Sequence, residues 1–257
     1  MFMLIPSARG AIALFGLAIL LGACSEASNN ALPELGPEAS ESRLQPPQPE
    51  EGSPSTDMPV DGPLVLFMGT SLTEGYGLPD PDRQAWPARF AEEASRQGLP
   101  LEIRNAGVSG ETSAGARRRV DWILDRPPAL FVLETGANDG LRGLSPEQLE
   151  ANLDSIFATV RRRAPEARLA LAGMEAPPNL GTSYIEAFRA VFPRVAERWD
   201  AVLIPFLLDG VAGDRTLNQA DGIHPTPPGH QRMAEVAWTT LEPVVRDLVD
   251  AESAVRP

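Results

Sequence analysis

Lysine is absent from this sequence of 257 residues, and cysteine and histidine are scarce. All 22 basic side chains are therefore arginine, and 35 acidic residues give a formal net charge of −13. No basic stripe is present to attract a polyanion, so we expect no nucleic-acid partner. The one cysteine, Cys24, excludes an intrachain disulfide. Two histidines are too few for a histidine-rich metal site, and we expect neither a metal nor a cofactor.

The first 24 residues have the pattern of an export signal. Arg9 precedes the apolar run 11–21, which is too short for a permanent membrane span but suits a signal-peptide core. The run leads into Leu-Gly-Ala-Cys24, which resembles a bacterial lipobox. We predict a lipoprotein signal over residues 1–24, with lipidated Cys24 as the membrane anchor. The alternative is an ordinary secretory signal with an incidental cysteine.

Residue 25 begins a segment of different composition. Residues 25–62 hold seven prolines and eight acidic residues against one arginine, with no aromatic residue. Such a segment buries too little apolar surface to offset its ordering entropy, so we predict a disordered tether spanning about 35 Å. Ser25 in place of aspartate favours, by resemblance to enterobacterial lipoproteins, an outer-membrane lipoprotein facing the periplasm. The folded domain is predicted over 63–250 as a monomer, with a tail at 251–257.

Short apolar runs alternate with helical periodicity through the domain. The predicted strands are 64–68, 101–104, 129–134, 168–172 and 201–204, and the predicted helices are 83–97, 112–124, 145–163, 184–197 and 228–248. Pro243 predicts a kink or break in the last helix, and His230 in that helix is interpreted as surface or structural. Strict alternation predicts an α/β fold with a parallel sheet between helices. Ligands then bind beyond the carboxyl ends of the strands.

Four loops at those positions carry residues that suit nucleophilic chemistry. Ser71 follows the first strand, Gly107 the second and Asn138 the third, while Asp221 and His224 precede the last helix. Each also has a structural explanation. The serine can cap a helix, the glycine can supply a turn, Asn-Asp-Gly is a turn signal, and the histidine can be a hydrogen-bonded structural residue.

Together these residues supply the parts of a serine hydrolase site. A serine hydroxyl becomes a nucleophile when an imidazole accepts its proton, and that imidazole needs a carboxylate on its other nitrogen. Asp221 and His224 are close enough for a tight turn to place the carboxylate on Nδ1. The backbone amides of Ser71 and Gly107 and the Asn138 side chain can donate to an oxyanion.

The same blocks resemble a known family, the SGNH or GDSL hydrolases. Gly-x-Ser-Leu, a glycine in the second block, Gly-x-Asn-Asp and Asp-x-x-His occur in the family's order across residues 64–248. The strings at 105–110, 136–143 and 218–229 are similar to the bacterial arylesterase and multifunctional thioesterase I/lysophospholipase branch.

This resemblance implies a fold and a set of roles. The fold is a three-layer, flavodoxin-like, doubly wound five-stranded parallel sheet. Ser71, Asp221 and His224 are implied as the catalytic triad, and Ser71, Gly107 and Asn138 as the oxyanion hole. The implied activity is that of a carboxylic ester hydrolase acting through an acyl-Ser71 intermediate on aryl, short-chain or lysophospholipid esters, and on thioesters.

Thr70 departs from the family pattern, which usually has aspartate immediately before the nucleophile. That aspartate is not the triad carboxylate, so the implied roles are retained while the support of the nucleophile loop changes. Thr70 is also the one hint of a different class, a catalytically silent lipid-binding envelope lipoprotein.

The substrate is left open at this stage. Residues 177–184 are interpreted, by analogy with the family, as a mobile lip of an acyl pocket. The predicted export disfavours acyl-CoA, which is a cytosolic thioester. A carbohydrate O-deacetylase on the same fold is the enzymatic alternative.

Overall fold

The structure is a computed structural model that describes residues 62 to 255. The predicted signal peptide, Cys24 and nearly all of the predicted tether lie outside this range. The strands are β1 (Leu64–Gly69), β2 (Glu102–Gly107), β3 (Leu130–Glu134), β4 (Arg168–Ala172) and β5 (Val202–Ile204). The helices are α1 (Ser71–Glu74), α2 (Pro81–Gln84), α3 (Trp86–Arg96), α4 (Ser113–Ile123), α5 (Ala137–Leu141), α6 (Pro146–Arg163), α7 (Thr182–Trp199) and α8 (Pro227–Val255), with a 3-10 turn at Pro178–Leu180.

The five strands form one parallel sheet in the order β2-β1-β3-β4-β5. The chain moves outward from β1 to β2, then returns past β1 to β3 and continues in the other direction. Because crossovers are right-handed, this reversal places helices on opposite faces of the sheet. Helix α3 packs on α8, while α4 packs on α6 and α6 on α7. The predicted α/β, doubly wound, five-stranded fold is confirmed.

The central strands are buried from end to end, as the uninterrupted apolar runs of β1 and β3 predict. On the α3–α8 face, the Phe67 ring lies edge-on to Trp86 at 4.8 Å and to Phe90 at 5.6 Å. On the other face, Phe131 packs against Phe157 at 6.3 Å. This core holds the carboxyl ends of β1 and β3 in fixed positions, and the switch point of the sheet lies between them.

Most of the predicted bounds agree to within two residues, and three larger differences occur. The helix predicted over 83–97 is two helices separated by Ala85, whose backbone is extended. Pro87 is the cause, because proline suits a first helical turn but cannot continue a preceding helix. Strand β2 ends at Gly107 and not at residue 104. Helix α8 runs unbroken through Pro243 and reaches Val255, so it includes most of the predicted tail. Among residues 62–255, no helix is both long and apolar enough to cross a bilayer.

Candidate active site

Ser71 is the first residue of α1 and follows directly on the turn that leaves β1. Thr70 has an extended backbone, and its hydroxyl accepts a hydrogen bond from the Leu72 amide at 3.4 Å. Thr70 is therefore the N-cap of the helix, and the alternative that Ser71 is the cap was wrong. Ser71 retains 8% exposure, and it lines a cavity at the carboxyl end of the sheet.

The loop before α8 brings a carboxylate and an imidazole to this serine. Asp221 Oδ1 accepts from the amides of Ile223 at 3.0 Å and His224 at 3.1 Å, which closes a tight turn. Asp221 Oδ2 lies 2.7 Å from His224 Nδ1, and His224 Nε2 lies 3.0 Å from Ser71 Oγ. The structure thus joins the three predicted side chains in one continuous chain of hydrogen bonds.

Electrostatics fix the direction of this chain. The hydrogen bond from His224 lowers the pKa of Asp221 to about 2, and the Ile223 and His224 amides add to the effect. Asp221 is therefore a carboxylate at any pH where the protein would work, and it accepts the Nδ1 proton of His224. Nε2 of the neutral ring is then left as the acceptor that faces the Ser71 hydroxyl.

Two of the three predicted oxyanion donors, the Ser71 amide and the Asn138 side chain, belong to residues that line the same cavity. The Ser71 amide belongs to the first residue of a helix, where no intrahelical acceptor exists. Asn138 lines the same cavity as Ser71, and its Nδ2 donates to Glu111 O at 3.0 Å. A side-chain amide carries two N–H groups, so this bond orients Asn138 and leaves one donor for a ligand.

Gly107 is a correction to the sequence analysis. Its amide donates to Asn105 Oδ1 at 2.9 Å, so this donor is already engaged. A Cβ at residue 107 would lie 2.1 Å from the Glu74 nitrogen. Gly107 is glycine because the end of β2 packs directly against the backbone of α1. The structure does not support it as an oxyanion donor.

Gly110 is the glycine of this loop that directly precedes Glu111. It has φ of +73°, and its carbonyl accepts from Arg142 Nη2 at 3.0 Å. The next residue, Glu111, is the one whose carbonyl binds Asn138. The sequence analysis did not consider this glycine as a donor.

Arg119 fixes the start of the same loop. Its Nη2 donates to Gly69 O at 3.1 Å and to Ala106 O at 2.9 Å, so it bridges the ends of β1 and β2. The same guanidinium forms a bidentate pair with the carboxylate of Glu111. The loop next to Asn138 is therefore anchored to the two strands that flank the nucleophile.

A buried carboxylate supports the nucleophile turn from below. Glu134, the last residue of β3, is fully buried and accepts from the Thr70 amide at 2.8 Å, the Thr70 hydroxyl at 3.0 Å and the Thr73 hydroxyl at 2.8 Å. Burial raises the pKa of Glu134, and the bonds from Thr70 and Thr73 oppose that rise. The sequence analysis missed Glu134, although a charged residue at the end of an apolar strand was a usable signal.

The cavity beside Ser71 has a volume of about 570 Å³. Most of its wall is apolar, and the apolar lining residues away from the triad include Leu141, Met174, Ala176, Pro177, Pro178, Phe206 and Leu208. Pro177 and Pro178 belong to the segment predicted as a lip, and they do border the cavity. A large, mainly apolar cleft with a few convergent polar groups is typical of a small-molecule site.

The second histidine has a structural position. His230 is 1% exposed, and its Nδ1 accepts a hydrogen bond from the Trp86 amide at 3.3 Å. Desolvation lowers the pKa of His230 to about 4, so the ring is neutral at neutral pH. Of the two interpretations from the sequence, structural rather than surface is the one that this burial supports.

Comparison with known proteins agrees with this geometry. The model of the GDSL-like Lipase/Acylhydrolase family matches residues 67–232. Esterase TesA of Pseudomonas aeruginosa is 41% identical over 182 residues, which cover 70% of this chain and 89% of that protein. Thioesterase 1/protease 1/lysophospholipase L1 of Escherichia coli K12 is 34% identical over 182 residues, covering 70% and 84%. A crystal structure of TesA superposes with a TM-score of 0.66 at 40% identity, covering 70% of this chain and 99% of that one.

Proposed function

Because the chain belongs to the GDSL-like lipase and acylhydrolase family, we propose that its Ser71, His224 and Asp221 hydrolyse carboxylic esters by way of an acyl-Ser71 intermediate. The observation that carries this assignment is the unbroken sequence of hydrogen bonds from Asp221 through His224 to Ser71 Oγ. It ends at the wall of an apolar cavity large enough for an acyl group. The enzyme is a carboxylic ester hydrolase.

Each residue of the triad has one task in the proposed mechanism. Neutral His224 takes the Ser71 proton at Nε2 while Oγ attacks the ester carbonyl. Asp221 keeps the ring in the required tautomer and stabilises the imidazolium that forms. The alcohol leaves with the proton from His224. Water, activated by the same ring, then attacks the acyl-serine and releases the acid.

The oxyanion in this scheme is held by donors on three loops. We assign the Ser71 amide, the second N–H of Asn138 Nδ2 and, in place of Gly107, the amide of Gly110. The carbonyl of Glu111 orients Asn138, and Arg119 anchors that part of the loop. Donors fixed in advance stabilise developing charge without reorganising during the reaction, which is their main catalytic advantage.

The cavity supports an acyl group as the part of the substrate that is recognised. Each methylene of the substrate that moves from water to the apolar wall stabilises the complex by about 0.8 kcal/mol. Aryl, short-chain and lysophospholipid esters fit this description, and so do thioesters. The two relatives named above, Esterase TesA and Thioesterase 1/protease 1/lysophospholipase L1, carry esterase, thioesterase and lysophospholipase in their names.

The cellular setting of the proposal depends on the N-terminal sequence. The lipobox pattern at Cys24 supports a lipoprotein of the cell envelope, held at the outer membrane and facing the periplasm. A lysophospholipid or an exogenous ester is then a more accessible substrate than acyl-CoA.

The test uses the tether-free domain and a panel of substrates. Wild type, Ser71→Ala and, as a matched control, Ser155→Ala are assayed on p-nitrophenyl esters, a lysophospholipid and an acetylated sugar. Ser155 lies on α6, where its hydroxyl donates to Ala151 O at 2.8 Å, so its loss leaves the site intact. We expect Ser71→Ala to lose turnover with an unchanged melting temperature, and Ser155→Ala to retain it.

Three results would contradict the proposal. Wild-type rates in Ser71→Ala would remove Ser71 from the mechanism. Release of acetate from the sugar without release of acyl groups from esters would favour an O-deacetylase. A folded wild-type protein that a fluorophosphonate fails to label would favour the catalytically silent lipoprotein.

A further inference from the structure

A second link between the nucleophile loop and the histidine loop runs through Gln219. Its Nε2 donates to Tyr76 O at 2.8 Å and to Pro225 O at 3.0 Å. Its backbone amide donates to His224 O at 2.7 Å. Gln219 is therefore hydrogen-bonded both to the segment that follows Ser71 and to the segment that carries His224, and these two segments are far apart in sequence.

Tyr76 connects this link to both reacting side chains. Its amide donates to Ser71 O at 3.0 Å. Its ring lies against the His224 ring, with centroids 4.6 Å apart and planes inclined by 42°. An aromatic ring packed beside an imidazole limits the rotation of that imidazole. His224 is the ring that takes the Ser71 proton in the step proposed above, so this contact holds the base of the reaction in place.

Gly77 leaves the space that the Gln219 carboxamide occupies. A Cβ at residue 77 would lie 2.3 Å from Gln219 Oε1, and its φ of +75° already favours glycine. The Gln219 carboxamide therefore lies directly against the backbone of the turn after Tyr76.

From these contacts we propose that Gln219 is a positioning residue for hydrolysis. Its carboxamide holds the carbonyls of Tyr76 and Pro225 together, so that His224 Nε2 stays within hydrogen-bond reach of Ser71 Oγ beneath the Tyr76 ring. The proposal rests on the proposed function. Gln219 acts through Tyr76 and His224, while the cavity wall contacts the substrate.

Gln219→Met tests this role, because methionine has similar length and no donor. We expect kcat on a p-nitrophenyl ester to fall about 10- to 100-fold, since small misplacements of a catalytic group cost rates of this order. KM should change by less than about twofold, because the cavity wall is untouched. The melting temperature of each variant is measured alongside.

The matched control is the same substitution at the C-cap glutamine of α3, Gln97→Met. Gln97 also joins two elements, since its Oε1 accepts from Arg246 Nη2 of α8 at 2.6 Å, but it lies away from the site. We expect the kcat and KM of wild type for this variant. A control that lost activity equally would overturn the proposal, because any lost bridge would then have the same effect.

A double-mutant cycle with Tyr76→Leu separates positioning from a merely structural role. If Gln219 works through Tyr76, the double variant should lose much less activity than the product of the two single losses. Independent, multiplying effects would overturn the proposal, and so would wild-type kcat in Gln219→Met. Ser71→Ala is assayed in the same series. Activity in that variant would refute the proposed function itself, which keeps the two failures distinct.

Discussion

The pairing of Thr70 with Glu134 explains how this chain manages without an aspartate before its nucleophile. Thr70 is 1% exposed, and both its amide and its hydroxyl donate to the buried Glu134 carboxylate. The carboxylate that holds the turn thus comes from the end of β3. An aspartate at residue 70 would place a second carboxyl group in the buried site of Glu134. Threonine instead has a hydroxyl that donates a hydrogen bond to the Glu134 carboxylate.

Thr70→Val should show that the hydroxyl, and not only the shape, is needed. Valine leaves Glu134 with one donor fewer and removes the cap on the Leu72 amide. We expect the free energy of unfolding to fall by about 1–3 kcal/mol, the usual result of stranding a buried polar group. Urea denaturation measures this. Thr70→Ser keeps the hydroxyl and should lose less than half as much, and equal losses in both variants would contradict the explanation.

The sequence predicted the reacting residues better than the residues that support them. Ser71, Asp221 and His224 could be predicted because, although each alone has a structural explanation, their side-chain types and order together resemble those of a known family. The role of Gln219 could not be predicted, since glutamine is common and nothing local shows which distant carbonyl it meets. Glu134 had one local signal, its position at the end of an apolar strand, but the sequence does not show which hydroxyls it binds. Supporting residues are defined by contacts across the fold, which one sequence without coordinates does not contain.

The junction of α3 with α8 depends on the charge of one buried imidazole. His230 on α8 accepts from Trp86 N, which lies in the first turn of α3 and has no intrahelical partner. A protonated ring cannot accept this bond, and it would place positive charge at the positive end of a helix dipole. The lowered pKa of His230 agrees with this arrangement.

This junction predicts acid sensitivity in a defined pH window. The unfolded chain takes up a proton at His230 near pH 6.5, whereas the folded chain does so only near pH 4. The free energy of unfolding should therefore fall as pH drops through this window, by at most about 3 kcal/mol. Urea denaturation at pH 7 and pH 4.5 measures the fall.

His230→Gln provides the control for this window. Glutamine keeps an acceptor for Trp86 but does not titrate, so most of the loss between pH 7 and pH 4.5 should disappear. Asp221 does not affect this comparison. Its pKa is lowered to about 2, so the stability that it contributes is lost only as the pH falls below the ordinary aspartate pKa of 3.8. An undiminished loss in His230→Gln would assign the acid sensitivity to other groups.

Element boundaries were predictable where local signals and packing agree. The predicted start of α6 at residue 145 agrees with the structure, in which Ser145 is the N-cap and its hydroxyl accepts from Gln148 N at 3.2 Å. Helix α8 continues through Pro243 without a break. Leu241, Val244 and Val245 are buried around this proline, and their tertiary packing outweighs the lost hydrogen bond. The early end predicted for β2 is a boundary that the local sequence did not show, since the strand continues to Gly107.

The whole molecule assembles its site by topology. Residues 71, 138 and 224 are far apart in the chain, and they meet because the strands are parallel and their carboxyl ends share one edge. In the strand order β2-β1-β3, the nucleophile turn follows β1. It therefore lies between the loop after β2, which Arg119 contacts, and the loop after β3, which carries Asn138. Alternation of strands and helices was enough to predict this convergence, though not the distances within it.

The lipid anchor is the remaining prediction for the whole molecule. Cys24 is the only cysteine and lies at the end of the predicted lipobox. If two or more acyl chains hold the protein at the membrane, Cys24→Ala in the full chain should move it from the membrane fraction to the soluble periplasmic fraction. Fractionation of a bacterial host, with labelled palmitate as a second readout, measures this.

The same variant separates anchoring from catalysis. Residues 71 to 224 carry the site, so activity per mole on a dissolved p-nitrophenyl ester should be unchanged in Cys24→Ala. Activity on lysophospholipid in the host membrane should fall, because the predicted lipid anchor would otherwise keep the domain at high effective concentration near that surface. Ser25→Asp should instead keep the label and move the protein to the inner membrane. A Cys24→Ala protein that stays in the membrane fraction without label would mean that the uncleaved apolar run 11–21 holds it there, and the lipoprotein assignment would fail.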